Sequence, residues 1–401
     1  MTLNDFLSKL REMGEIREIK GKNHKLWPLY ANESLWGIAV SWLSLFSSIF
    51  IYQQLLSLVN FRWALTGVFL FWSLFGLTKL LGTSLAENLS LKLGLKAQIG
   101  LGLGSLALAA TLFSLASLRL PILVFAVVSW GFSAGVYWFG WHGLVGKLQD
   151  RNHYGSAYGT SSALSTMTGF LTPFLGGILI TFGGYPLLFG VALIIIILAF
   201  FSLRFLPGEK THHDATFKEV LKLFVSNPRD FLANFSVGAL EVITVGFILY
   251  LFLVLKTELA LGGFFSLSLF FVALTRILIG RMIDLGKTKN LTIIGCLARG
   301  LVWWGRIATR NVSLLLGLNI VNGLAVGAVG MPLEVLALEK GIDGQSLGRA
   351  VLFREVAICL GYIAVGIILA ILAFFGLPLR AGFVVAIPLS LVPILIYKTH
   401  D

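Results

Sequence analysis

From about Ala31 to Tyr397 the chain repeats one pattern, an apolar run followed by a few polar residues. The runs are each close to the length that matters for a bilayer, since about 20 helical residues at ~1.5 Å rise cross a ~30 Å hydrocarbon core. The pattern predicts an all-α polytopic membrane protein with twelve transmembrane helices, at residues 31–51, 63–84, 97–118, 120–144, 160–182, 185–206, 231–255, 262–281, 291–309, 312–338, 350–375 and 379–397. The longest polar interruption, Pro207–Asp230, leaves six spans on each side. The expected organisation is therefore a cytoplasmic segment 1–30, two pseudo-symmetric six-helix bundles at 31–206 and 231–401, and a cytoplasmic linker 207–230. Such doubling is a frequent plan of membrane transporters. Residues 1–30 are too polar to read as a cleavable leader. Leu3, Phe6, Leu7 and Leu10 share a face, as in a short helix lying on the membrane; a partly ordered tail is the alternative.

Composition removes the soluble reading. Mean hydropathy is +0.88 and 12% of residues are charged, against about 25% in soluble domains. The net charge of +12 could point to nucleic acid, but its distribution does not. Of 31 Lys and Arg, 24 fall on the side of the N-terminus, six on the other side, and Arg299 within a span. That asymmetry is the positive-inside bias, so both termini are expected in the cytoplasm and the protein in the plasma (inner) membrane. Cys296 and Cys359 lie in spans as small apolar residues, and the linker pair His212–His213 has no companion ligands, so neither metal nor cofactor is expected.

Two short motifs carry more. After the second span come Gly82, Glu87, Lys92, Gly94 and Lys96; after the eighth come Gly280, Arg281, Asp284, Gly286 and Lys287. These turns resemble the loop 2–3 signature of the major facilitator superfamily, which recurs in loop 8–9. The second copy is the better match, and in the first Glu87 sits one place late. The resemblance implies gating turns whose acid faces a neighbouring helix and whose cations meet acids near the tenth span, here Glu334 and Glu339. The bland reading is headgroup anchoring. The fifth span contains Gly169, Thr172, Pro173, Gly176 and Gly177, which resembles a helix-packing element of proton-coupled exporters, with Thr172 in place of a glycine. Gly286-Lys287-Thr288 looks like the tail of a P-loop, but it follows a membrane helix rather than a strand, which disfavours a nucleotide-driven pump.

Charges inside a span are costly and point to function. Glu241 and Arg299 lie near mid-span, Arg354 and Glu355 one turn inside the eleventh span, and Glu33 at the inner entry of the first. Glu241 is the preferred coupling carboxylate, with a structural pair or a cationic-substrate contact as alternatives. Adjacent residues point about 100° apart on a helix, so Arg354 and Glu355 are expected to serve different neighbours. Lys79 and His142 are read as snorkelling near helix ends, and Trp130, Tyr137, Trp138 and Trp141 as mostly lipid-facing or interfacial, with the lining of an apolar substrate cavity as the alternative.

The expected function is secondary active transport of a small organic solute by alternating access, proton-coupled, with export slightly preferred. Metabolite uptake and a non-transporting scaffold or sensor are the alternatives. The expected surroundings are the lipid bilayer, a small-molecule substrate and protons, with no nucleic acid, acting as a monomer. No catalytic cluster lies at the interface, so an enzyme is not expected.

Overall fold

The computed structural model describes residues 27–116, 120–148, 164–209, 217–343 and 346–399. The segment Leu3–Leu10, the pair His212–His213 and Arg119 fall outside that set, as does the side chain of Glu339. The spans are α1 (Trp27–Leu56), α2 (Phe61–Leu93), α3 (Leu95–Leu115) and α4 (Leu120–Leu148), then, beyond a break, α7 (Pro228–Leu255), α8 (Glu258–Asp284), α9 (Thr288–Ala308), α10 (Val312–Asp343), α11 (Leu347–Phe374) and α12 (Leu379–Leu391). A 3-10 stretch, Val392–Thr399, continues α12.

Between α4 and α7 lies an apolar helical segment of 42 residues, Leu164–Phe205. Unbroken, it would be about 63 Å long, twice the hydrocarbon thickness. It breaks at Gly184, whose φ of 69° and ψ of −173° interrupt the helical path, and Pro186 follows in the next turn. The break yields α5 (164–183, with a turn at 170–171) and α6 (185–202), so the described residues contain twelve apolar helices of the kind that can span a bilayer.

Both halves place a pair of glycines, four residues apart, where two helices meet. On α4, Gly131 and Gly135 let α2 approach so closely that a Cβ at Gly135 would lie 2.3 Å from the Lys79 carbonyl oxygen. On α10, Gly323 and Gly327 face α8 side chains instead of its backbone: a Cβ at Gly323 would lie 2.3 Å from Val272 Cγ2, and one at Gly327 2.7 Å from an Arg276 Nη1. Small residues at this spacing substitute for the hydrophobic drive that lipid does not supply. The seams between halves are also paired. α2 runs along α11 from Trp63–Phe374, 5.0 Å between ring centres, to the level of Lys79 and Glu355. α5 meets α8 through Phe174 N–H donating to Ser266 Oγ at 2.9 Å and through Phe170–Phe270 at 5.6 Å.

One end of the bundle carries the linker. There Leu95 N–H donates to the Glu209 carbonyl at 2.9 Å, and Lys147 lies 3.9 Å from the Glu209 carboxylate. The amphipathic run in the linker forms a helix, Phe217–Ser226, whose buried Val220 packs with Ala86, Phe139, Val351 and Leu352, joining both halves. α2 corrects an expectation. Residues 82–93 are not a turn but the last part of a 33-residue helix, about 50 Å long, which ends only at Gly94, φ 82°. Likewise Gly280–Asp284 is still helical, and the turn is Leu285–Lys287.

Candidate functional site

α7 is buried almost throughout, as expected of a helix surrounded by others. Between Ala233 and Phe252 a single residue is exposed, and it is Glu241. Its carboxylate lies within electrostatic reach of Lys79 on α2, Arg299 on α9, and Arg354 and Glu355 on α11. An exposed side chain enclosed by charges from both halves faces interior space, not lipid. Arg299 is buried on α9 and interacts electrostatically with Glu241, but no ion pair within 4 Å joins them among the described residues.

Below Glu241, towards the linker end, five polar side chains from four helices converge. Lys79 Nζ lies 2.9 Å from Glu355 Oε2, and both groups are buried. Arg354 bridges two carboxylates, donating through Nη1 to Glu355 and through Nη2 to Glu334 on α10. The His142 ring of α4 stands 3.4 Å from Arg354 Nη1 and 3.9 Å from Glu355 Oε1, and it stacks on Trp138 at 5.3 Å. The group balances two cations against two carboxylates, which is what lets so many charges share a buried place. It also ties α2 and α4 of one half to α10 and α11 of the other. Such a junction holds only while the halves meet at this end, so it has the form of an interlock.

Several expectations change here. Arg354 and Glu355 have separate neighbours, Glu334 and Lys79, but they also engage each other, because the guanidinium is long enough to reach the adjacent carboxylate and Glu334 together. Glu334 is therefore engaged by Arg354 of α11, and among the described residues no ion pair joins it to the cations of the α8–α9 turn. Lys79 and His142 do not snorkel; they are 6% and 3% exposed and belong to the junction. Trp130, Tyr137 and Trp141 turn inwards, each under 5% exposed, because α4 is held inside the bundle by α1–α3. Trp36 of α1 stacks on Tyr137 at 4.6 Å, and Tyr137 donates to Asn32 at 3.0 Å. Glu33 is buried on the neighbouring position of α1.

The gating turn stays apart from the junction. Gly280 is buried on α8, Arg281 partly exposed, Asp284 exposed, and Gly286 adopts φ 73° just before Lys287 opens α9. Glu87 is buried on the overhanging end of α2, and Gly94 caps that helix. In the fifth-span element, Gly176 meets Trp42 and Phe46 of α1, and Gly177 meets the Glu258–Leu259 backbone of α8, with a Cβ at 2.7 Å. Pro173 sits in the first turn after the 170–171 break, and Trp42 Nε1 donates to the Thr172 carbonyl at 2.6 Å. At Gly169 a Cβ would meet, among the described residues, Thr172 Oγ1 of its own segment at 3.9 Å.

Two arginines escaped the sequence reading because they sit near the ends of spans. Arg306 of α9 is wholly buried, donates to Asn319 at 2.7 Å, and lies over Phe247 at 3.7 Å. Arg276 occupies on α8 the place that Lys79 occupies on α2, opposite the matching glycine pair. Lys79 has Glu355 across the seam, whereas Arg276 has no ion pair among the described residues, its Nε is unpartnered, and its side chain is partly exposed. A repeated packing pattern would have drawn attention to it.

The profile of the Major Facilitator Superfamily matches residues 34–298. Solved structures include 284 matching chains, among them the human organic anion transporter MFSD10 (TETRAN). That structure superposes with a TM-score of 0.73 at 15% identity, over 93% of this chain and 99% of the other. A search of curated proteins returned no significant match. With two thirds of its length under the family profile and the family's fold throughout, this chain is a member of the major facilitator superfamily.

Proposed function

We propose that this protein is a secondary active transporter that moves a small organic solute by alternating access, coupled to protons through Glu241, in the direction of export. The observation that carries the reading is the position of Glu241, the one exposed residue between Ala233 and Phe252 of α7, ringed by Lys79, Arg299, Arg354 and Glu355. A carboxylate in that setting can exchange a proton between states in which its neighbours differ. The linker, the basic flank and both termini then face the cytoplasm of the inner membrane, and the junction of Lys79, His142, Glu334, Arg354 and Glu355 closes the cytoplasmic end. The fifth-span glycines and Pro173 favour export. A solute with an anionic group fits best, because Arg276 lacks the acid that its counterpart Lys79 possesses; organic anions are also the substrate class named for the human structural relative.

The test is reconstitution into liposomes with an imposed pH gradient, using a panel of radiolabelled organic acids and amphiphilic cationic dyes. Gradient-dependent flux of an acid, abolished by Glu241→Gln while solute exchange persists, is the expected result. The amide mimics the protonated acid, so loaded conformations remain reachable but the proton cycle does not. Full gradient-driven flux by folded Glu241→Gln removes the coupling role, and flux of dyes alone removes the anion reading. Absence of any flux across the panel favours a scaffold or sensor.

A further inference from the structure

At the end of the bundle opposite the linker, a cavity of ≈ 570 Å³ lies between α2 of one half and α7 and the α11–α12 turn of the other. Its walls are apolar, with Phe61, Leu253 and Leu377 among them, and it carries three cations, Arg62, Arg310 and Arg380. No carboxylate lines it. Arg62 lies across Gly376, where a Cβ would come within 2.8 Å of the guanidinium; Gly376 has φ 75°, so that turn makes both the bend and the space. Arg380 is aimed by the Tyr250 hydroxyl and by the Ile307 carbonyl at 3.3 Å. Arg310 is exposed at the rim. In the described turns and helix starts at this end the acid is Glu258, and it is already held by Gln53 at 2.8 Å and Tyr185 at 2.9 Å.

Three converging cations with no protein counter-charge, set in an apolar recess at the level of a bilayer surface, need an anion that also has an apolar part. The size is within the ~300–1,000 Å³ of small-ligand sites, and guanidinium groups match phosphate oxygens in pairs. We propose that this recess binds an anionic phospholipid of the adjoining leaflet, its phosphate among Arg62, Arg310 and Arg380 and its glycerol and upper acyl chains against the apolar walls. The ligand would touch both halves, so it favours the state in which they meet at this end. The site stands apart from the transport reading, while this conformational consequence rests on it.

Purified protein in detergent is titrated with dioleoylphosphatidylglycerol, dioleoylphosphatidylcholine or glycerol 3-phosphate, and binding is followed by melting temperature and native mass spectrometry. Phosphatidylglycerol raises the melting temperature and remains bound, the zwitterionic lipid does so weakly, and glycerol 3-phosphate at the same concentration does neither. In the Arg62→Gln/Arg310→Gln/Arg380→Gln variant, the phosphatidylglycerol shift falls to that of phosphatidylcholine. If the triple variant does not fold, Arg310→Gln alone serves, since that side chain is exposed; losing one charged contact weakens binding about tenfold. Equal shifts from both lipids, or unchanged binding by the arginine variants, overturn the proposal. A full shift from glycerol 3-phosphate assigns the recess to a soluble anion and overturns the lipid assignment.

Discussion

Replacing Lys79 by Met should loosen the linker end of the bundle without unfolding the protein. At the 2.9 Å separation of Lys79 Nζ and Glu355 Oε2, the attraction is about 6 kcal/mol at an effective dielectric of ~20. Most of that is offset by the desolvation of two groups that are 6% and 1% exposed. Removing one partner of a buried pair usually costs about 3–5 kcal/mol, because the other is stranded. Here Glu355 keeps Arg354 and is not stranded, so the cost falls to about 1–3 kcal/mol. The pair joins α2 to α11, across the seam between halves. Its loss therefore acts on the equilibrium between states closed and open at the linker end, by about 5–150-fold towards open.

Spin labels at Leu93→Cys and Leu285→Cys report this directly, in a background where Cys296 and Cys359 are replaced. Both positions are exposed, one at the end of α2 and the other at the end of α8. The distance distribution should gain a longer component in Lys79→Met, and the double variant Lys79→Met/Glu355→Gln should not exceed it. A folded Lys79→Met protein with an unchanged distribution would refute the interlock and leave the pair a static support.

Three other outcomes follow from the same geometry. Cysteines at Lys222 and Lys256, both exposed and at opposite ends of the bundle, should react with an impermeant maleimide in sealed cells only at position 256; reaction at 222 inverts the proposed topology. Asp284→Asn should slow transport more than it lowers folded protein, and raise cysteine labelling at the linker end; loss of neither makes Asp284 a headgroup anchor. Gly177→Leu should destabilise the protein by about 1–3 kcal/mol or more, because even a Cβ there meets α8 backbone at 2.7 Å, while Gly169→Ala should leave the melting temperature unchanged.

The twelve helices and their two halves were legible because bilayer thickness fixes the length of an apolar run, and a polar stretch as long as Pro207–Asp230 has no place in hydrocarbon. Even the break between the fifth and sixth spans was readable, since Gly184 and Pro186 punctuate an otherwise continuous apolar segment. Glu241 and Arg299 were found by depth alone, which needs only a count from the helix ends. The junction at the linker end was not legible, for two physical reasons. Lys79 and Glu355 belong to opposite halves, so their meeting depends on how two bundles dock and leaves no local spacing to detect. Charges a few residues inside a span were also read as reaching back to water, as long side chains can. That rule set Lys79, Arg276 and Arg306 among the outer charges, and Arg354, one turn inside the eleventh span, was counted with them; leaving all four out keeps the basic bias at about four to one, because three came from one side and one from the other. The expected orientation therefore does not depend on these four charges. The charges outside the spans carry that expectation, whereas Lys79, inside one, is held by Glu355 of the opposite half, where a change in how the halves meet can be felt.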